Sequence, residues 1–138
     1  MTSKKVFHLF IGLLLICYFT FANAAVILQY HHVSETLPRV TSLSENEFSA
    51  HLSYLKDNNY SVVPLQHIIE AVKEQNSIPD KTVALTFDDG FINNFTQAAP
   101  ILKRFNYPYT IFVNPQLIDE GKSYVMTWQQ LKALTKEG

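Results

Sequence analysis

The sequence predicts a parallel α/β fold, because short apolar segments typical of strands alternate with segments of helical periodicity from residue 26 onward. The clearest strand candidate, residues 82–87, is apolar or β-branched and lacks the polar alternation of a half-exposed strand. The chain has 138 residues, of which 47% are hydrophobic and 17% charged. This composition excludes a disordered or polyionic chain, and the length suits one small domain.

The predicted strands are residues 26–30, 60–63, 82–87 and 109–113. The first and third segments have the uninterrupted apolar character of strands that are buried on both faces. Residues 36–43 and 114–126 are predicted as loops, the second because it contains Pro115 and Gly121.

Four helices are predicted between and after these strands. Ser44 and Glu47 have the spacing of a capping box at the start of the first helix, and Pro64 opens the second. A third helix covers residues 95–105, where Pro100 marks either its start or a kink. The last begins at Thr127 with a second capping-box pattern.

Residues 1–24 are predicted to be a signal peptide. Lys4 and Lys5 precede an apolar run, and residues 22–24 (Ala-Asn-Ala) have the small-x-small pattern of a cleavage site before Ala25. The alternative is an uncleaved membrane anchor, because apolar residues continue to Leu28. We therefore expect export to the bacterial periplasm or the cell exterior, with residues 25–138 as the working domain.

Charge and cysteine content exclude further classes. The formal net charge is −1, from 11 Lys and Arg against 12 Asp and Glu, which argues against a nucleic-acid-binding protein. The single cysteine, Cys17, lies within the predicted signal peptide and excludes both a disulfide scaffold and a cysteine-rich zinc site.

Asp88 and Asp89 follow directly on the strongest predicted strand, and Gly90 comes next. Ligands and catalytic groups of parallel α/β folds gather at the carboxyl ends of strands. Two adjacent carboxylates repel each other unless a cation or a shared proton compensates. The pair is therefore a candidate for metal binding and base catalysis, and the alternative is a simple helix-capping role.

Residues 86–90 (TFDDG) are identical to the motif of the NodB-homology polysaccharide deacetylases, carbohydrate esterase family 4. Residues 27–33 (ILQYHHV), 108–113 (PYTIFV) and 126–131 (MTWQQL) also resemble segments of that family, in the same order. The resemblance implies a deformed (β/α) barrel with parallel strands, of which this chain is the amino-terminal part.

The resemblance also implies a reaction, the hydrolysis of N-acetyl groups from a polysaccharide of β-linked N-acetylglucosamine with release of acetate. In that family the first Asp is the general base and the second binds a divalent metal, commonly zinc, with cobalt and nickel as alternatives. Carried over, Asp88 is the base and Asp89 the metal ligand. His31 is a candidate substrate-binding residue because it follows the first strand.

The sequence departs from the family pattern in one respect. The family's other metal ligands form a His pair spaced H-x3-H to H-x5-H, which this sequence does not contain before its last residue, Gly138. We expect the chain to be the amino-terminal portion of a longer enzyme and to be inactive alone, because catalytic zinc sites usually have three protein ligands. The oligomeric state is not predicted.

Several alternatives stay open from the sequence. A non-catalytic secreted fragment that binds glycans is one, and a metal-dependent phosphoryl-transfer site is another. Trp128 is expected to pack in the core rather than to stack on sugar, and Asn93 and Asn94 are weak candidates for substrate contact. His51 and His67 are expected at the surface.

Overall fold

A small parallel sheet lies at the centre of the protein, around one buried strand. The structure is a computed structural model, and it describes residues 24–137. The strands of these residues are β1 (Val26–Tyr30), β2 (His32–Val33), β3 (Ser42–Leu43), β4 (Ser61–Val62), β5 (Thr82–Phe87) and β6 (Thr110–Ile111). β1 pairs along one edge of β5, while β4 and β6 pair with the two ends of its other edge. β2 and β3 form a separate parallel pair. All pairs between named strands are parallel, so the predicted parallel α/β fold is confirmed.

Helices connect these strands as the periodicity predicts. They are α1 (Glu45–Asp57), α2 (Leu65–Lys73), α3 (Ala99–Phe105), α4 (Pro115–Asp119) and α5 (Trp128–Glu137), with a π-helical turn, Asn94–Ala98, directly before α3. Pro100 is the second residue of α3 and follows the π-helical turn without a break, so the irregular turn lies where the proline ring would disturb a regular α-helix. Residues 115–119 were predicted as loop and are a short helix, because Pro115 starts it as readily as it breaks one.

The predicted capping boxes are present at α1 and α5. The Ser44 hydroxyl accepts from the backbone N–H of Glu47 at 3.2 Å, and the Glu47 carboxylate accepts from that of Ser44 at 2.8 Å. Thr127 and Gln130 make the same reciprocal pair at the start of α5. Arg39 also binds the Glu47 carboxylate, and this hydrogen bond, together with those from Ser44, lowers the pKa of Glu47 to about 2. Local sequence thus determines where both helices begin.

Two apolar clusters pack on opposite faces of β5. Side chains alternate along the strand, so Val83, Leu85 and Phe87 face the larger cluster and Ala84 faces the smaller. The larger cluster contains residues of α1 and α3, chiefly Phe48, Leu52, Leu55, Ile101 and Leu102. Leu65 and Ile68 of α2 cover the other face. β5 is consequently buried along its whole length, as its composition predicts.

Two predictions of burial are wrong. Val26 and Ile27 of β1 are 46% and 50% exposed, although their segment was predicted to be buried on both faces. The reason is that β1 has a pairing partner on one edge only, within the described part of the chain. Trp128 is 49% exposed rather than in the core, and its indole N–H donates to Asp119 at 2.8 Å.

His51 and His67 lie at the surface, as predicted. Residues 1–23, which hold most of the predicted signal peptide, lie outside the described residues, so the cleavage site and the domain boundary stay predictions. Among the helices of residues 24–137, none has the length and apolar character needed to cross a bilayer.

Candidate active site

The carboxylate pair lies where the central strand ends. The backbone N–H of Asp88 donates to the carbonyl of Tyr30 at 2.9 Å, which extends the pairing of β1 and β5 by one residue beyond Phe87. The Asp88 side chain is partly exposed, and Asp89 is exposed. Both carboxylates therefore meet solvent at the carboxyl edge of the sheet, the edge at which parallel α/β proteins bind their ligands.

The backbone turns sharply at Asp89 and Gly90. Both residues have a φ of +64°, in the left-handed region that L-residues rarely adopt. A Cβ added at Gly90 would lie 3.0 Å from Cγ1 of Val113, so the turn also has no room for a side chain. The Gly90 carbonyl accepts from the N–H of Met126 at 2.8 Å. Asn59, Gln75, Lys81 and Asn106 have the same left-handed conformation, so at Asp89 it defines the turn and does not by itself mark a site.

Two side chains of the β1 segment approach the Asp88 carboxylate. The Gln29 amide donates a hydrogen bond to Oδ2 of Asp88, and Nε2 of His31 lies 3.9 Å from the same oxygen. His31 thus lies beside Asp88, close to where the sequence predicts it, although its role in substrate binding stays a prediction. Gln29 was not singled out from the sequence, and only the register Gln29↔Thr86 brings it to this position.

His32 has a structural environment. Its ring stacks on Phe91 with centroids 3.8 Å apart, and Nδ1 accepts from the Asn93 amide at 2.9 Å. Burial is the main cause of a lowered pKa for His32. Asn93 was predicted as a weak candidate for substrate contact, and its amide instead orients His32. Asn94, the other such candidate, is buried in the π-helical turn.

A hollow of about 320 Å³ opens beside the carboxylates. Its lining consists of Asp88, Asp89, Phe112, Val113 and Asn114, so the segment after β6 forms its other wall. Phe112 and Asn114 were not predicted as site residues from the sequence. The available signal was their position after a predicted strand, because parallel strands bring their carboxyl ends to one edge.

The donor set does not by itself suit a catalytic metal ion. Within residues 24–137, no group of three His, Cys, Asp or Glu side chains is placed to share one ion. Asp89 supplies one exposed carboxylate, whereas a catalytic zinc ion is usually held by three protein ligands. The assignment of a divalent metal to Asp89 therefore rests on the family resemblance.

Comparisons with known proteins agree with the motif. The sequence profile described as "Polysaccharide deacetylase" matches residues 75–138. YxkH of Bacillus subtilis, which carries a polysaccharide deacetylase name, is 30% identical over 112 residues, covering 81% of this chain and 39% of YxkH. The poly-beta-1,6-N-acetyl-D-glucosamine N-deacetylase of Escherichia coli K12 is 27% identical over 131 residues, covering 83% of this chain and 19% of that protein. The chain thus spans less than half the length of these two relatives.

Solved structures show the same relationship. The deacetylase PplD of Streptococcus pyogenes, solved with acetate, superposes with a TM-score of 0.74 at 28% identity, over 83% of this chain and 53% of PplD. IcaB of Ammonifex degensii gives a TM-score of 0.74 at 29% identity, over 84% of this chain and 50% of IcaB. The motif, the profile, the relatives and the fold agree, and all of them resemble those of polysaccharide deacetylases.

Proposed function

We propose that the protein to which this chain belongs removes N-acetyl groups from a polysaccharide of β-linked N-acetylglucosamine and releases acetate. One observation carries the proposal: two adjacent carboxylates, Asp88 and Asp89, follow the buried central strand and line one open hollow. The E. coli relative is named for this reaction on a β-1,6-linked polymer, which supports the choice of substrate.

Asp88 is the proposed general base. Its Oδ2 accepts a hydrogen bond from the Gln29 amide, which orients the carboxylate that takes a proton from the attacking water. The water oxygen forms a bond to the acetamide carbonyl carbon, and the bond from that carbon to the sugar nitrogen then breaks. The nitrogen leaves as an amine after receiving the proton that Asp88 took from the water, and the acetyl group leaves as acetate. His31, 3.9 Å from Asp88, is positioned to contact the substrate.

The proposal includes a divalent metal, zinc with cobalt and nickel as alternatives, for which Asp89 provides one ligand. Among the described residues, no three His, Cys, Asp or Glu side chains are placed to share one ion. The remaining ligands are expected from a part of the protein beyond residues 24–137. This part of the proposal predicts that purified protein from the native host contains a divalent metal and that Asp89→Asn lowers its occupancy.

The test is acetate release from a β-linked N-acetylglucosamine oligomer by the protein as its host produces it. Asp88→Asn should lower kcat by about 10²- to 10⁴-fold, the range typical of general-base catalysis, with the metal retained. Asp80→Asn is the matched control, because Asp80 is an exposed aspartate at the opposite end of β5 and should leave kcat unchanged. Normal turnover by Asp88→Asn would refute the assignment.

A second function is a secreted fragment that binds glycan without cleaving it. The lack of a three-ligand group among residues 24–137 favours it. This function predicts that neither a chelator nor Asp88→Asn changes the dissociation constant for the oligomer and that wild-type protein releases no acetate. Oligomer binding by calorimetry, together with the acetate assay, separates the two functions.

The proposal places the protein in the periplasm or outside the cell, with residues 1–24 as a cleaved signal peptide. Amino-terminal sequencing and intact mass of the exported protein test this location. A first residue of Ala25 supports export, and retention of Met1 favours the membrane-anchored alternative. A mass well above that of residues 25–138 would identify the chain as part of a longer enzyme.

A further inference from the structure

Phe112 is a half-exposed aromatic residue in the hollow that contains the two carboxylates. It is 51% exposed and lines this hollow with Asp88 and Asp89. The carboxylates have a role in the proposed hydrolysis, and the apolar ring of Phe112 has none. Within the described residues, about half of this apolar side chain is accessible beside the reacting groups.

The backbone of Phe112 is held firmly relative to Asp88. Its N–H donates to the carbonyl of Phe87 at 2.8 Å, immediately after β6 pairs with β5 through Phe87↔Ile111. Val113, the next residue, packs against the backbone of Gly90. Phe112 therefore follows β6, and the carboxylates follow its partner strand β5. The distance between them is set by the pairing of these two strands and not by a free loop.

Other exposed apolar side chains do not share this position. Among the described residues, the remaining large apolar side chains with comparable exposure are Val26, Ile27, Leu37, Val40, Tyr54, Val72, Tyr124 and Trp128. None of these lines the hollow beside Asp88. Isolated apolar residues at a surface are common and need no function, but one that shares a hollow with the proposed catalytic carboxylates has a specific use available.

We infer that Phe112 is a specificity residue whose ring packs against a pyranose ring of the polysaccharide next to the reacting N-acetyl group. The inference rests on the proposed function, because it names how that site holds its substrate. The C–H groups on the face of a pyranose are weakly positive and apolar, and they complement the negative face of an aromatic ring. Such a contact orients the sugar while the water and Asp88 act on the acetamide.

The test compares Phe112→Ala, Phe112→Leu and Phe112→Trp in the protein as its host produces it. The substrates are a β-linked N-acetylglucosamine pentamer and 4-nitrophenyl acetate, which has an acetyl group and no sugar. Phe112→Ala should raise KM for the pentamer by about tenfold, the scale of one aromatic contact, with kcat within about twofold. Turnover of 4-nitrophenyl acetate should not change. Phe112→Trp should restore the pentamer KM, and Phe112→Leu should not.

Tyr54→Ala is the control, because Tyr54 is exposed to a similar extent and lies in α1 outside the hollow. It should leave the pentamer KM unchanged. Recovery by Phe112→Leu equal to that by Phe112→Trp would overturn the inference, since any apolar side chain would then suffice. An equal loss on both substrates would also overturn it, because it indicates a structural role. If the wild type releases no acetate, the proposed function fails, and the pentamer dissociation constants of the same variants still test Phe112.

Discussion

β1 and β5 are neighbouring parallel strands with similar apolar character and different surroundings. Every residue of β5 is buried, whereas Val26 and Ile27 of β1 are about half exposed and only Tyr30 is fully packed. β5 has partners on both edges and helices on both faces, while β1 pairs with β5 alone within the described residues. The comparison teaches that burial in this sheet follows the number of packed neighbours and not the hydrophobicity of the strand itself.

The two regions also differ in the surface hollows that they border. A hollow of about 490 Å³ lies along β1 and is lined mainly by apolar and aromatic side chains, among them Val26, Leu28, Tyr54 and Tyr60. The hollow at the carboxyl end of β5 contains both carboxylates of the TFDDG motif. Polar chemistry is therefore concentrated at the end of the best-buried strand, where the rigid sheet can hold it in a fixed geometry.

The largest effect is expected from a lysine placed at either member of one register pair, Ile27↔Ala84. Ala84 is fully buried against Leu65 and Ile68, so Ala84→Lys leaves an unpaired charge in the core and should cost about 3–5 kcal/mol. Ile27→Lys should cost less than about 1 kcal/mol, because its side chain can extend into water. Urea denaturation of both variants measures the difference. Equal losses would mean that the outer face of β1 is covered in solution.

A comparison of Gly90 with Gly121 tests whether the tight packing of β5 continues into the turn that follows it. Gly90→Ala should destabilise the fold by about 2–3 kcal/mol, through left-handed backbone strain and the close contact with Val113. Gly121→Ala has the same strain, with a φ of +67°, but its added Cβ meets no atom within 4 Å. It should cost about 1 kcal/mol. The unfolding free energies of the two variants separate strain from packing, and equal values would show that Val113 yields without cost.

The smallest effect concerns Tyr30, the one residue of β1 that is buried against β5. Its ring stacks on Phe87 with centroids 5.4 Å apart, and burial raises the pKa of Tyr30 to about 12. The unfolded chain ionises this phenol near pH 10, so the stabilisation is fully present below pH 10 and is lost as the pH rises towards 12. The loss should be on the order of 2 kcal/mol.

Tyr30→Phe removes this ionisation, so its unfolding free energy should fall less steeply than that of the wild type between pH 10 and 12. Chemical denaturation at a series of pH values measures both slopes. Identical slopes in the two proteins would indicate that water reaches Tyr30 and that β1 is no better buried at its carboxyl end than at Val26.

Local signals predicted the helices and the central strand well. Ser44 with Glu47 and Thr127 with Gln130 mark helix starts, because a capping box depends only on side chains and backbone within one turn. The apolar segment 82–87 was recognised as the buried strand for the same reason, since its composition allows no exposed face. The TFDDG motif at its end identifies Asp88 and Asp89 from the sequence alone.

Other features depend on contacts between distant segments and were missed or wrong. Gln29 reaches Asp88 across 59 residues of sequence, through the register of β1 on β5. Phe112 shares the hollow because β6 pairs with the last residues of β5. Ile27 is exposed because β1 has no strand on its second edge within the described residues. The hydrophobicity of the strand itself cannot reveal whether such a neighbour is present.

The sequence by itself therefore determined the order of β1, β4, β5 and β6 and of the longer helices between them, the capping boxes of α1 and α5 and the pair of carboxylates after β5, whereas β2, β3 and α4 were not predicted. These features arise from interactions within a few residues of the chain. Only the tertiary structure decided which strand is central, how the side chains around Asp88 converge and that Phe112 lies beside them. The physical reason is that parallel pairing joins segments far apart in sequence, and its register sets which side chains meet at the edge of the sheet.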